Sequence, residues 1–104
     1  MARRIVRTAG AHEHLIAIWL WIARDDPAAA DRMLDAIDAR CALLAEHLLA
    51  GPARDDILSG LRQLVAGPYL VLYRVAPELV RILRVLHGRR YIDKTDVAAA
   101  PDSP

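Results

Sequence analysis

The sequence predicts an α+β domain of two layers, a helical hairpin packed on a mainly antiparallel four-stranded sheet in the order β-α-α-β-β-β. Three observations carry this. Apolar residues recur at helical spacing in two consecutive segments between residues 15 and 48. The period changes to two after Gly60, and a short alternating segment, Arg3–Thr8, precedes everything else. With 104 residues, 55% of them apolar, the chain can bury roughly two-thirds of its unfolded surface around one core.

Arg3–Thr8 (RRIVRT) is alternating and β-branched, and reads as a strand broken by Ala9-Gly10. Leu15, Ile18, Trp19 and Ile22 then fall at i, i+3, i+4 and i+7, one face of an amphipathic helix. Asp25-Asp26-Pro27 interrupts this helix and starts another, because Asp26 suits an N-cap and Pro27 a first helical residue. In the second helix Ala30, Met33, Ile37, Cys41, Leu44 and Leu48 keep the helical period, charged residues take the other faces, and Gly51-Pro52 supplies a stop. Two helices joined by so short a break fold back as a hairpin. After a polar loop, Gly60–Ala66, Tyr69–Val75 and Leu79–His87 read as three strands linked by tight turns at Gly67-Pro68 and Ala76-Pro77-Glu78. Residues 1–94 make one domain, and residues 95–104 read as a frayed tail with nothing to bury.

Composition narrows the chemistry. A lone cysteine, Cys41, rules out an internal disulfide and fits a reducing cytoplasm. His12, His14, His47 and His87 have no ligand-like spacing with it, so neither a metal nor another cofactor is expected. The apolar run Leu15–Ala23 is far short of the ~20 residues that span a bilayer and lacks a small-x-small cleavage site. A cytoplasmic protein without a membrane partner is expected. The formal charge of +1 conceals a division: residues 11–59 carry a net −5, whereas residues 1–10 and 60–94 together carry +8. One part of the molecule should attract anions.

The candidates for that role are arginines. Arg89 and Arg90 follow Gly88 outside regular structure and, with Lys94, form an anion-facing cluster. Arg62 and Arg74, on neighbouring strands, extend it if they share a sheet face. On an unbroken strand Val80, Ile82, Arg84 and Leu86 share one face and Arg81, Leu83, Val85 and His87 the other. Arg81, beside Glu78 and a turn, reads as an ordinary solvated arginine. Arg84 fits either role. Tyr69, Tyr73 and Trp19 read as packing residues. Trp21 falls off the apolar face of its helix.

The blocks IAIWLWIARDDPAAADRMLDAIDARCALLAEH, GLRQLVAGPYLVLYRV and VRILRVLHGRR, in this order and spacing, resemble the RelE/ParE superfamily of type II toxins over roughly residues 3–92. The resemblance implies the same β-α-α-β-β-β fold and a cognate antitoxin that wraps and neutralises the toxin. It also implies contact with operator DNA only through the toxin–antitoxin complex. An exposed Trp21 would be an antitoxin contact, although packing within the helical hairpin explains it as well.

The superfamily divides by target. RelE-like members cut messenger RNA in the ribosomal A site without a metal, and ParE-like members are associated with poisoning of DNA gyrase. The blocks look closer to ParE-like sequences. RNA-cleaving members carry an arginine just after the first aromatic of the middle meander strand, where this chain has Leu70 after Tyr69. They also tend to end in a tyrosine or a His-Tyr pair, where this chain offers Asp93, Lys94, Thr95 and Asp96. A gyrase-directed toxin is therefore expected. The alternatives are a ribosome-dependent endoribonuclease, in which His87, Arg84 and Tyr91 are the catalytic candidates, and a toxin-fold binding partner without toxicity.

Overall fold

The computed structural model describes residues 3–88 and Val97. Its elements are β1 (Arg4–Arg7), α1 (Ala9–Ala23), α2 (Pro27–Ala42), a 3-10 turn (Leu43–Ala45), β2 (Arg62–Ala66), β3 (Tyr69–Val75) and β4 (Leu79–His87). The strands form one mixed sheet in the order β1-β4-β3-β2, with β1 parallel to β4 and the other pairs antiparallel. The predicted order of elements and the hairpin on a four-stranded sheet are both present.

Local chemistry explains the boundaries. Asp26 caps α2, its Oδ1 accepting the Ala29 N–H at 3.1 Å, and Pro27 supplies the fixed φ of the first turn. Ala9-Gly10, expected as a break, is instead the first turn of α1. Thr8 caps that helix, its Oγ1 accepting the Ala11 N–H at 3.1 Å while donating to the Leu83 carbonyl at 2.9 Å. One fully buried hydroxyl thus joins α1 to β4. The second helix ends at Ala42, before the expected Gly51-Pro52 stop. Leu44 continues the apolar stripe from the 3-10 turn, so the stripe outlasts the helix.

The core between the layers gathers Leu15 and Ile18 of α1, Ile37 and Cys41 of α2, and Leu64, Val71, Tyr73, Val80, Ile82 and Val85 of the sheet. Tyr73 also ties down the irregular segment after the 3-10 turn, donating to the Leu48 carbonyl at 2.9 Å and accepting the Gly51 N–H at 3.0 Å. The opposite face of the sheet is not bare, as a plain two-layer reading implied. Ile57 and Leu61, from the loop before β2, cover Leu72, Leu83 and Leu86 there, and Val97 joins them. Val97 is 7% exposed, so the segment 95–104 does have something to bury at that position.

One irregularity matters for the site. Leu72 pairs with Arg84 and Tyr73 with Ile82, which leaves Leu83 as an extra residue in β4. This bulge breaks the expected alternation: Val80, Ile82 and Val85 lie on the helix side, while Leu83 and Leu86 lie on the outer face. The carbonyl of the extra residue turns to the strand edge, where Thr8 meets it.

Candidate functional site

Each proposed arginine can now be placed. Arg84 is not on the surface. It is 2% exposed, and its guanidinium donates to the Leu83 carbonyl and to the Val97 carbonyl, the latter at 3.0 Å. The bulge that displaces Leu83 takes Arg84 off the face of Val80 and Ile82 and sets it opposite Leu72, with its guanidinium against Gly10 of α1 and the Val97 carbonyl. Arg62 and Arg74 do not share a face, contrary to the expectation. Arg62 pairs with Tyr73 on the helix side and donates from Nε to the Gly51 carbonyl at 2.7 Å, holding the loop before β2. Arg74 lies on the outer face, directly opposite Arg81 of β4. Arg89, Arg90, Tyr91 and Lys94 lie outside the described residues.

The outer face therefore has two halves. Towards one end it is apolar and covered by Ile57, Leu61 and Val97. Towards the other it carries Arg74 and Arg81 in one row, with Val6 beside Arg81 and Arg4 beside Leu79 on the neighbouring β1. Arg4 is exposed, and Arg74 and Arg81 are half-buried. Arg81, which reads from sequence as an ordinary strand arginine, and Arg4, which no motif marks, both belong to this group. The turn fixes this pairing: one that sets Val75 against Val80 necessarily sets Arg74 against Arg81.

The helix side offers a different surface. Between α1 and the ends of β3 and β4 an open groove of about 290 Å³ is walled by His14, Ala17 and Trp21 and floored by Tyr69, Val85 and His87. His87 is exposed and meets Tyr69 edge to face, with ring centroids 5.6 Å apart. His14 accepts the Val85 N–H at Nδ1 at 3.2 Å, beyond the point where β1 stops pairing with β4. Nothing in the sequence marks His14 for that position. Beside the groove, α1 turns Ile16, Leu20 and Trp21 to solvent at 48, 56 and 66% exposure, and Arg24 stacks over the Trp21 ring at 5.0 Å. Trp19 instead donates its Nε1–H to Asp31 Oδ1 at 2.8 Å, linking α1 to α2.

The titratable groups with clear shifts have structural causes. Burial pushes the Cys41 thiol up to about 11, against the opposing pull of Arg7, which suppresses its nucleophilic thiolate. A hydrogen bond from Arg54 holds the exposed Asp56 carboxyl below its ordinary value. Among the described residues no group of three or more His, Cys, Asp or Glu side chains could hold a metal ion. Among them, too, no helix is long and apolar enough to cross a membrane.

The family model described as ParE toxin of type II toxin-antitoxin system, parDE, matches residues 5–92. A putative toxin, Y4kP, of Sinorhizobium fredii is 34% identical over 93 residues, which span 86% of this chain and 94% of that protein. Toxin RelE3 of Caulobacter vibrioides is 33% identical over 82 residues, 75% of this chain and 86% of that protein. A chain of the chromosomal ParDE system of P. aeruginosa shares the fold with a TM-score of 0.71 at 22% identity, covering 83% of this chain and 96% of its own. A chain of the toxin–antitoxin complex RelBE2 of Mycobacterium tuberculosis gives a TM-score of 0.61 at 28% identity, covering 84% and 99%.

Proposed function

The chain belongs to the ParE toxin family of type II toxin–antitoxin systems, and from that premise we propose that it is a toxin that acts by binding DNA gyrase and is silenced by a cognate antitoxin. The observation that carries a binding mode over a cutting one is the burial of Arg84. Cleavage of RNA by attack of the 2′-hydroxyl needs cations beside the phosphorane and an acid–base pair to move protons. Arg84 is committed to two backbone carbonyls and is closed off from a substrate phosphate. Leu70, where RNA-cleaving relatives of the superfamily carry an arginine, packs into the outer apolar cluster. Neither position therefore brings a cation to a phosphate held at His87.

The antitoxin takes the α1 side in this reading. Ile16, Leu20 and Trp21 form an exposed apolar stripe on a single helix, next to a groove that continues it. A neutralising segment that folds on binding draws its affinity from apolar anchors of this kind.

Purified gyrase and this protein, titrated with and without a cognate antitoxin, test the target in a DNA supercoiling assay. The expected result is inhibition that the antitoxin reverses. A folded protein that arrests growth yet leaves supercoiling untouched would move the assignment to ribosome-dependent cleavage.

A further inference from the structure

We infer that the solvent face of α1 is a self-complementary surface on which two copies of this chain pair through antiparallel helices. The pairing needs no antitoxin. It places a second occupant on the face assigned above to the antitoxin, so the two exclude each other.

The composition of α1 supplies the first argument. Of its 15 residues Glu13 alone carries a formal charge when the histidines are neutral, and a helix apolar on all sides calls for cover on all sides. The core takes one side, where Leu15 and Ile18 are buried. The side turned away from the core leaves Ile16, Leu20 and Trp21 exposed. Contiguous apolar surface of this kind marks an interface.

Register supplies the second argument. Glu13, Ala17, Leu20 and Arg24 follow at i, i+4, i+7 and i+11, which sets them along one line of the helix with Ile16 and Trp21 flanking it. All six are exposed, and Arg24, the C-cap residue, keeps helical φ and ψ. Turned end for end about a two-fold axis across the middle of the helix, this line meets a copy of itself. Glu13 then faces Arg24 of the second copy, Ala17 faces Leu20, and Ile16 faces Trp21. Small side chains meet large ones at the centre, and opposite charges close both ends. Among the described residues no ion pair engages Glu13 or Arg24. Stacking over the Trp21 ring at 5.0 Å keeps the Arg24 guanidinium at its end of the face. A parallel pair would set like charge against like at each end, and a face shaped only for a foreign protein has no need of this symmetry. One helix face per copy is a contact below the roughly 1,200 Å² of standard interfaces, so the pair is weak and reversible.

Sedimentation equilibrium of the full chain without antitoxin, from about 5 to 500 µM, tests this. Monomer should convert to dimer across that range. Ala17→Glu, Glu13→Arg and Arg24→Glu should each weaken the dimer by roughly tenfold or more, because the two-fold axis makes every substitution count twice. An equimolar mixture of Glu13→Arg and Arg24→Glu chains should pair again, since each end then joins opposite charges, and so should the double reversal. Each variant's thermal transition shows whether it is folded, and Arg32→Gln, an exposed change on α2, should leave the dimer as it is. A folded chain that stays monomeric, a dimer indifferent to the reversals, or single-reversal chains that fail to pair in mixture overturns the inference. A monomer whose antitoxin affinity still falls with Trp21→Ala overturns this inference and leaves the antitoxin reading standing. A dimer that binds antitoxin without dissociating does the reverse.

Discussion

A guanidinium at 2% exposure has to find acceptors inside the protein, and Arg84 finds them in two backbone carbonyls. The space it occupies exists because residue 10 is a glycine: a Cβ there would collide with Arg84 Nη1. Gly10 lies in the first turn of α1 with an ordinary helical φ, so its backbone gives no reason to prefer glycine to alanine. We therefore expect Gly10→Ala to destabilise the protein in urea denaturation, because Arg84 must leave its acceptors. In an Arg84→Ala background, itself destabilised by about 2–4 kcal/mol, the same change should be neutral or stabilising. A purely additive double-mutant cycle would sink this account. Cys41 gives a pH-dependent case at the same scale. Its thiol is raised from 9.0 in the unfolded chain to about 11 in the fold, so above pH 9 the unfolded state sheds a proton that the folded state retains. Stability should be intact below pH 9 and fall by about 2 kcal/mol as the pH rises towards 11. Cys41→Ala should flatten that part of a thermal-stability profile relative to the parent, and an unchanged slope would mean that other groups dominate.

Elements show where the sequence is legible and where it is not. Periodicity locates both helices and all four strands, because burial on one face imposes a spacing on any element that packs against a core. Boundaries set by capping are legible where the cap is a local matter, as at Asp26-Pro27. They mislead where the local signal serves a distant partner. Gly10 looks like a helix breaker, but its missing side chain makes room for Arg84, seventy-four positions away in sequence. The bulge at Leu83 carries no signature of its own, since Ile82 and Leu83 are equally apolar in a strand covered on both faces. One inserted residue shifts Arg84 from the face of Val80 and Ile82 into register with Leu72. The register of β3 and β4 at their turn also departs by one residue from the expected Ala76-Pro77-Glu78 turn: Ala76 bonds to Leu79 across Pro77-Glu78, so Arg74 meets Arg81 where the longer turn would set it against Val80.

At the scale of the molecule, the split charge of the sequence becomes a split between layers. Of the acidic residues of the middle segment, Glu13, Asp31, Asp35 and Asp38 ride on α1 and α2 and the others lie in the connecting segments, while Arg4, Arg74 and Arg81 mark the far side of the sheet. The apolar surface is divided too: Ile57, Leu61 and Val97 cover Leu72, Leu83 and Leu86 on the outer face, Val65 stays exposed there, and α1 exposes Ile16, Leu20 and Trp21. A protein that must hold an antitoxin and also reach a target can thus do so with two surfaces of different chemistry. Trp21 is the sharpest probe of that division. At 66% exposure, with its main described contact the stacked Arg24, it contributes little to the core, and Trp21→Ala should shift stability by no more than about 0.5 kcal/mol. As an aromatic anchor between the α1 stripe and the groove, it should matter far more in the complex. We expect the substitution to weaken antitoxin binding at least tenfold, or about 1.4 kcal/mol or more, mainly through faster dissociation. Trp21→Phe should keep part of that affinity, because it retains a ring for the same surface. Surface plasmon resonance with immobilised antitoxin separates the outcomes. An unchanged dissociation rate for Trp21→Ala would remove the antitoxin from this face, and an equal loss of affinity and folding stability would return Trp21 to a packing role within the helical hairpin.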